Sequence, residues 1–214
     1  MAIEFDALGG PTSATSTGLT WSHTVGSGLN RLLIVVTSVS GVGVDITGVT
    51  YNSVAMTMAL DTGNNPSYRI WYLANPDSGA HDVAASSNGD GSETIRGAST
   101  SYAGINQSEP VETAGATGAV GGSPLTINIT TVRDGCWLVS GGKTDDAVTV
   151  SAGAGTVVRG TDSTARFHIG DSDSITSPAG ADSLIYSFAG GNNLTMVGIA
   201  IKPFGSFSPK VIMI

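Results

Sequence analysis

Aspartates in loop-like segments come closest, by type and spacing, to a chemical site in this chain. Calcium prefers several carboxylate and carbonyl oxygens on flexible loops. The candidate ligands are Asp90, Asp145, Asp146, Asp171 and Asp173. None of their segments completes an Asp-x-Asp-x-Asp-Gly loop with a distal Glu, and turns favour aspartate in any case. Calcium is therefore the one cofactor for which the sequence offers ligands, and we otherwise expect none.

Other catalytic patterns are incomplete. Asp61-Thr62-Gly63 matches the core triplet of aspartic proteases, but those enzymes need two carboxylates and the triplet has no second copy. His23, His81 and His168 lie far apart and show no metal-ligand spacing. Cys136 has no evident base partner, and no Gly-x-Ser-x-Gly elbow marks a serine nucleophile. We therefore expect a protein that is not an enzyme.

Aromatic rings offer one alternative, a platform on which sugars stack. The available rings are Trp21, Tyr51, Trp71 and Trp137. Because aromatic residues make up 6% of the chain, the core needs most of these rings. We expect them to be buried.

The charge balance excludes some partners. A net charge of −8 argues against binding to nucleic acid or to an anionic membrane surface. The first residues lack the basic and apolar regions of a signal peptide, so we expect synthesis and folding in a cytoplasm. Charged residues are 12% of the chain, which fits either a Thr- and Ser-rich β-protein or a surface covered in an assembly. A surface composition suited to life outside a cell, without an export signal, is typical of a phage virion protein, because virus particles assemble inside the host.

The elements that would position these residues are strands. Residues 31–39 form an apolar, β-branched run that predicts a central strand covered on both faces. Residues 19–25 and 125–130 alternate apolar and polar side chains, and Asn52-Ser53 predicts a tight hairpin turn. We predict an all-β fold of about a dozen strands with essentially no helix, arranged as an antiparallel two-sheet β-sandwich. No fixed-period repeat is visible, which excludes a propeller or a solenoid.

The ends and one long loop are the candidate contact surfaces. Residues 109–123, rich in Gly, Ala and Thr, predict a structureless loop. We divide the chain into an N-terminal segment (1–18), a sandwich (19–203) and an apolar C-terminal arm (204–214). The arm either closes the protein's own core or docks on a neighbouring subunit by strand addition. The predicted assembly contacts are Ile3, Phe5, Phe204, Phe207, Val211, Ile212, Met213 and Ile214.

Several segments together resemble a jelly-roll domain of bacteriophage structural proteins, such as head decoration or fibre proteins, that also occurs in bacterial surface proteins. These segments are Trp21-Ser-His-Thr-Val, Arg31-Leu-Leu-Ile-Val-Val, Val49-Thr-Tyr-Asn-Ser-Val-Ala-Met, Ile70-Trp-Tyr-Leu-Ala-Asn-Pro with Ser78-Gly-Ala-His, Ser101-Tyr-Ala-Gly-Ile-Asn-Gln and Val197-Gly-Ile-Ala-Ile-Lys-Pro. The resemblance implies a concanavalin-like or viral-type jelly roll used for attachment or assembly. It carries no active-site residue.

These observations predict a non-enzymatic virion protein, a capsid decoration or accessory protein that stabilises the shell. The expected partners are the major capsid protein or other virion proteins. We also expect a homo-oligomer, with a trimer as the estimate because capsid lattices offer three-fold positions. The alternative is a carbohydrate- or receptor-binding jelly-roll module of a tail fibre or cell-surface protein.

Overall fold

A computed structural model describes residues 1–63, 66–120, 122–164, 166–189 and 193–205, with the backbone alone over 113–120. The all-β prediction is confirmed, although the described residues form 17 strands, more than the predicted dozen. The first nine strands are β1 (Glu4–Thr15), β2 (Gly18–Val25), β3 (Leu32–Val39), β4 (Ile46–Tyr51), β5 (Val54–Ala55), β6 (Thr57–Asp61), β7 (Ser67–Ala74), β8 (Gly79–Ser87) and β9 (Thr94–Ala103). The other eight are β10 (Val111–Val120), β11 (Leu125–Thr130), β12 (Trp137–Thr144), β13 (Val150–Ala152), β14 (Val157–Thr161), β15 (Phe167–Asp171), β16 (Ala181–Phe188) and β17 (Leu194–Ile201).

The strands pair into four antiparallel sheets. Strands of the first half form an inner sheet in the order β1-β9-β3-β7-β6 and an outer sheet in the order β2-β8-β4-β5. Strands of the second half form an inner sheet, β10-β17-β12-β15-β14, and an outer sheet, β11-β16-β13. No helix of the described chain is long and apolar enough to cross a membrane.

Three apolar cores hold these sheets together as four layers. The middle core lies between the two inner sheets, and each side core lies between an inner sheet and its outer sheet. β3 contributes to two cores, because Ile34 faces the middle core while Leu33 and Val35 face the first side core. The prediction of a central strand covered on both faces is thus confirmed.

The number of layers differs from the predicted two. The central strand β12 of the second half is also covered on both faces, with Val139 in the middle core and Leu138 in the second side core. Two inner sheets therefore pack on each other, and each also needs an outer sheet. The apolar pattern of one strand indicates that both of its faces are buried. It does not indicate how many sheets of the protein are covered on both faces, and so it does not give the number of layers.

The two halves have the same strand order. Replacing β1, β9, β3, β7 and β6 by β10, β17, β12, β15 and β14 converts the first inner sheet into the second. The same holds for β2, β8 and β4 against β11, β16 and β13 in the outer sheets. Within the described residues, β5 alone has no counterpart. The chain is therefore built from two similar sandwiches, a relation that the search for a fixed-period repeat missed.

The register carries the same duplication. β1 has a bulge at Asp6, and β10 has a bulge at Glu112, at the corresponding point of its pairing with β17. Asp6 accepts a hydrogen bond from the backbone N–H of Gly26 at 2.8 Å, and Glu112 accepts one from Val132 at 3.2 Å. Both donors lie in the loop after the second strand of their half. Bulges of this kind re-aim a side chain, and here both place an acid over an equivalent loop.

The halves face each other across a pseudo-two-fold axis. The equivalent strands β3 and β12 pack on each other. The contact of β9 with β15 has a symmetric counterpart in the contact of β17 with β7. The contact of β1 with β14 likewise has its counterpart in the contact of β10 with β6. Such exchanged pairs are the mark of an isologous interface. At its centre Gly141 lies against Val36, and a Cβ at Gly141 would be 2.9 Å from Val36 Cγ1. The monomer thus resembles a two-fold dimer fused into one chain.

Two predicted contact regions belong to the fold itself. β1 makes most of the segment 1–18 part of the first inner sheet, so this segment is not separate from the sandwich. Ile3 is 4% exposed in the middle core, and Phe5 packs edge-on against Tyr102. Assigning Ile3 to assembly was wrong, because the middle core buries it, whereas Phe5 is partly buried against that core and its assembly role stays a prediction. The predicted loop 109–123 was also wrong, because β10 pairs through its backbone with β17 and needs no strong β-formers for that.

Candidate functional site

The buried carboxylate Asp171 links the two halves. Asp171 Oδ2 accepts hydrogen bonds from Tyr102 Oη and from Arg159 Nε, both at 2.9 Å. The Arg159 guanidinium also pairs with Asp173 and lies 4.0 Å from the centre of the Phe5 ring. Burial raises the pKa of Asp171, and the Arg159 hydrogen bond opposes that rise. Asp171 and Asp173, two of the predicted calcium ligands, therefore bind Arg159.

The other predicted calcium ligands lie elsewhere. Asp145 is 3.6 Å from Lys143, and Asp146 is 3.7 Å from Arg166. Asp90 accepts a backbone N–H two residues further along an exposed turn. No group of three or more His, Cys, Asp or Glu residues able to hold a metal occurs among the residues described. The structure does not bring the five aspartates together.

The protease-like triplet is a structural turn. Asp61 Oδ2 is 2.7 Å from Arg69 Nη2, and Asp61 Oδ1 accepts the N–H of Gly63 at 2.9 Å. The hydrogen bond from Arg69 lowers the pKa of Asp61. An ionised carboxylate tied to arginine does not share a proton with a second acid, as that chemistry requires.

A hydrogen-bonded chain through His23 brings Ser, His and Asp together. Ser101 Oγ donates to Asp6 Oδ2 at 2.7 Å, so His23 Nε2, 3.0 Å away, must donate to Ser101. His23 Nδ1 lies 2.9 Å from Ser99 Oγ, and Ser99 Oγ accepts from Trp21 Nε1. In a catalytic triad the histidine lies between the serine and the acid. Here Ser101 lies between His23 and Asp6, so this row of hydrogen bonds orders the interior and does not have the arrangement that activates a serine.

The single cysteine is buried beside an acid. Cys136 Sγ donates to Glu112 Oε2 at 3.2 Å, and Arg133 Nε is 4.0 Å from Glu112 Oε1. Burial, reinforced by Glu112, raises the pKa of Cys136 to about 12. A thiol of this kind stays protonated and is a poor nucleophile.

The four rings considered as a sugar platform belong to the cores. Trp21, Tyr51, Trp71 and Trp137 are all buried. The core assignment of these rings is confirmed, and a saccharide site would need other groups.

Five of the nine large apolar side chains that are exposed among the described residues lie at one end of the stack, here named the apolar end. Its members are Met1 (62% exposed), Leu29 (68%), Val132 (72%), Ile175 (53%) and Phe204 (48%). They share this end because β3 and β12 begin there and β9, β15 and β17 finish there. The Met1 amino group donates to Phe204 O, and Gly104 N donates to Leu29 O.

The apolar end follows the pseudo-two-fold axis. Leu29 precedes β3 and Val132 precedes β12, so these two exposed side chains occupy equivalent loops. Among the predicted assembly contacts, Phe204 lies at this end, whereas Phe207, Val211, Ile212, Met213 and Ile214 lie outside the described residues. Sequence reasoning missed Leu29 and Val132, since an isolated apolar loop residue carries no signal by itself.

A polar groove of about 490 Å³ crosses the outer face of the first outer sheet and is here named the outer groove. It is lined by Thr20, Thr50, Asn52, Ser53, Ala80, His81, Asp82 and Ala84. Asn52 and Ser53 have φ of 48° and 65°, as a tight hairpin turn requires, which confirms the predicted turn. The sequence placed these residues on separate strands and gave no sign that they meet.

The apolar end and the outer groove are the two candidate interaction surfaces of the described chain. Comparison of the chain with protein-family models, with curated proteins and with solved structures finds no match. Function is therefore inferred from the geometry of these two surfaces.

Proposed function

We propose that this chain is a non-enzymatic structural protein of a bacteriophage virion, a capsid decoration or accessory protein that binds the head surface and stabilises the shell. Its partners are the major capsid protein or other virion proteins, and further copies of itself, with a trimer as the expected oligomer. The observation that carries this proposal is the apolar end. Five exposed apolar side chains share one end of a protein in which 12% of residues are charged.

Burial of these side chains would drive assembly. Single exposed apolar residues are ordinary, whereas several that share one end of a molecule offer apolar area for a partner to cover. Each fully buried Leu, Ile, Val or Met side chain contributes about 1.5–3 kcal/mol. On a capsid lattice, repeated weak contacts of this size add up to stable attachment.

Strand pairing supports the proposal by analogy of fold. In the first half β1 pairs with β9, β2 with β8, β3 with β7 and β4 with β5, as in a long hairpin rolled up on itself. We infer that each half is a jelly roll, an architecture of viral capsid and lectin domains. This analogy concerns the class of protein and identifies no site.

Charge placed on the apolar end is expected to disrupt assembly. Leu29→Asp and Val132→Asp would each bury a carboxylate in the interface, so we expect association to weaken at least tenfold, measured by light scattering over a concentration series. Val42→Asp is the matched control, because Val42 is 89% exposed in the loop after β3, at the opposite end. Equal masses for all three variants and the parent would contradict the role of the apolar end.

A further inference from the structure

Among the described residues β5 is the one strand without a counterpart in the second half, and the turn that leads into it lines the outer groove. The turn Asn52-Ser53 leads into β5, which adds a fourth strand to the first outer sheet. The second outer sheet has three strands, in the order β11-β16-β13. Within the described residues, the turn and β5 are therefore features of one outer sheet that the other lacks.

Two hydroxyl groups border a floor of small residues. In the sheet register Thr20 and Thr50 both pair with Ala84, one from each neighbouring strand. Strands lie about 4.8 Å apart, so the two threonines stand roughly 10 Å apart across the alanine. This leaves a slot wide enough for one sugar ring, with a methyl group below it and a hydroxyl on each side.

The charge of the lining selects the ligand class. Asp82 supplies a carboxylate, and neither lysine nor arginine lines the groove. An anionic phosphate or sulfate would therefore be repelled. A neutral polyhydroxylated ligand fits, because a carboxylate accepts hydrogen bonds from hydroxyls while threonine and asparagine both donate and accept.

The turn is held in place before any ligand arrives. Asn52 N donates to Asp82 O at 3.1 Å, and Asn52 Nδ2 donates to Asp77 Oδ2 at 2.9 Å. The first bond ties the turn to the floor strand β8, and the second ties it to the loop before that strand. Such preorganisation reduces the ordering cost of binding.

We propose that the outer groove is a binding site for a neutral saccharide. Asp82 accepts hydrogen bonds from the sugar hydroxyls, Thr20 and Thr50 bond the ring substituents on either side, and Ala84 contacts an apolar patch of the ring. The groove is shallow, so a single sugar unit binds with a dissociation constant on the order of 1 mM. This site is separate from the apolar end and does not depend on assembly.

The test is saturation-transfer NMR of the full chain with a panel of neutral mono- and disaccharides, with inorganic phosphate as the anionic comparison. Asp82→Ala is expected to weaken binding at least tenfold, and Thr50→Val about threefold or more. Ser183→Ala is the matched control, because Ser183 holds the position of Asp82 on the second outer sheet. Its affinity should equal that of the parent.

Three outcomes would overturn the proposal. In the first, no saccharide of the panel binds to the parent protein. In the second, the Asp82→Ala variant binds saccharide as tightly as the parent does. In the third, phosphate binds to the parent as tightly as saccharide does. Thermal unfolding of each variant shows that any loss of binding is not a loss of fold. Failure here would leave the oligomer mass unchanged and so would not bear on the assembly proposal.

Discussion

Acidification from pH 7 to pH 4 is expected to lower the free energy of unfolding by about 3 kcal/mol for each of two buried histidines, His23 and His168. Burial lowers the pKa of His23 to about 4, with Asp6 opposing. Burial likewise lowers the pKa of His168 to about 4, with Asp162 opposing. Both imidazoles are neutral in the folded protein at pH 7.

The direction follows from proton binding. The unfolded chain protonates its histidines near pH 6.5, well before the folded protein does. Stability is therefore complete above about pH 6.5 and is lost as the pH falls toward 4. Each histidine adds a slope of about 1.4 kcal/mol per pH unit within this window.

Replacing the histidines should remove the slope. In His23→Gln and in His168→Gln, the slope of unfolding free energy against pH, from urea titrations between pH 5 and 6, should fall by about 1.4 kcal/mol per pH unit. His81→Gln is the control, because His81 is partly exposed. Slopes unchanged in both buried-site variants would contradict the account of the neutral interior.

Substitutions at the centre of the pseudo-two-fold interface should show strong coupling. Gly141→Ala should cost about 1–3 kcal/mol by overpacking, because the new Cβ would lie 2.9 Å from Val36 Cγ1. Val36→Ala should cost about 2 kcal/mol through the lost burial. In the double variant Val36→Ala makes room for the new methyl group of Gly141→Ala. The double variant should therefore be at least about 1 kcal/mol more stable than the sum of the two single costs predicts.

A double-mutant cycle from urea unfolding measures this coupling. Gly142→Ala combined with Val36→Ala is the control pair, since a Cβ at Gly142 would meet Thr195 O and Met196 instead of Val36. Additive effects for the Val36 and Gly141 pair would show that the two inner sheets do not meet there.

Strands with strong apolar patterns could be predicted from the sequence. The run that became β3 and the alternation in β2 and β11 gave strand type and buried face, because side-chain periodicity reports burial directly. The burial of Trp21, Trp71 and Trp137 followed from the small number of aromatic residues. Strand β10 could not be found this way, because backbone pairing with β17 holds a Gly-, Ala- and Thr-rich segment in the sheet.

The duplication escaped detection for a physical reason. Equivalent core positions keep apolar character but not identity, as in Tyr68 against Phe167 and Tyr102 against Ile201. Loops of different length change the spacing between counterparts, so no fixed period arises. A visible trace is the shared Leu-Thr start of residues 19–25 and 125–130.

The candidate sites could be predicted least. Tyr102 and Asp171, or Thr20 and Asp82, come together only because strands far apart in the sequence pack or pair, and no local pattern records this. Acidic residues in turns suggested calcium, yet salt bridges and turn hydrogen bonds account for all five.

The most direct test of the assembly proposal is the solution mass of the full chain beside a chain ending at Pro203, measured by light scattering. We predict a defined oligomer, a trimer by our estimate, for the full chain. The shortened chain, which lacks Phe204 and the apolar residues after it, should be a monomer that keeps its fold. The same number of subunits in both particles would contradict the proposal that Phe204 and the residues after it contribute to assembly.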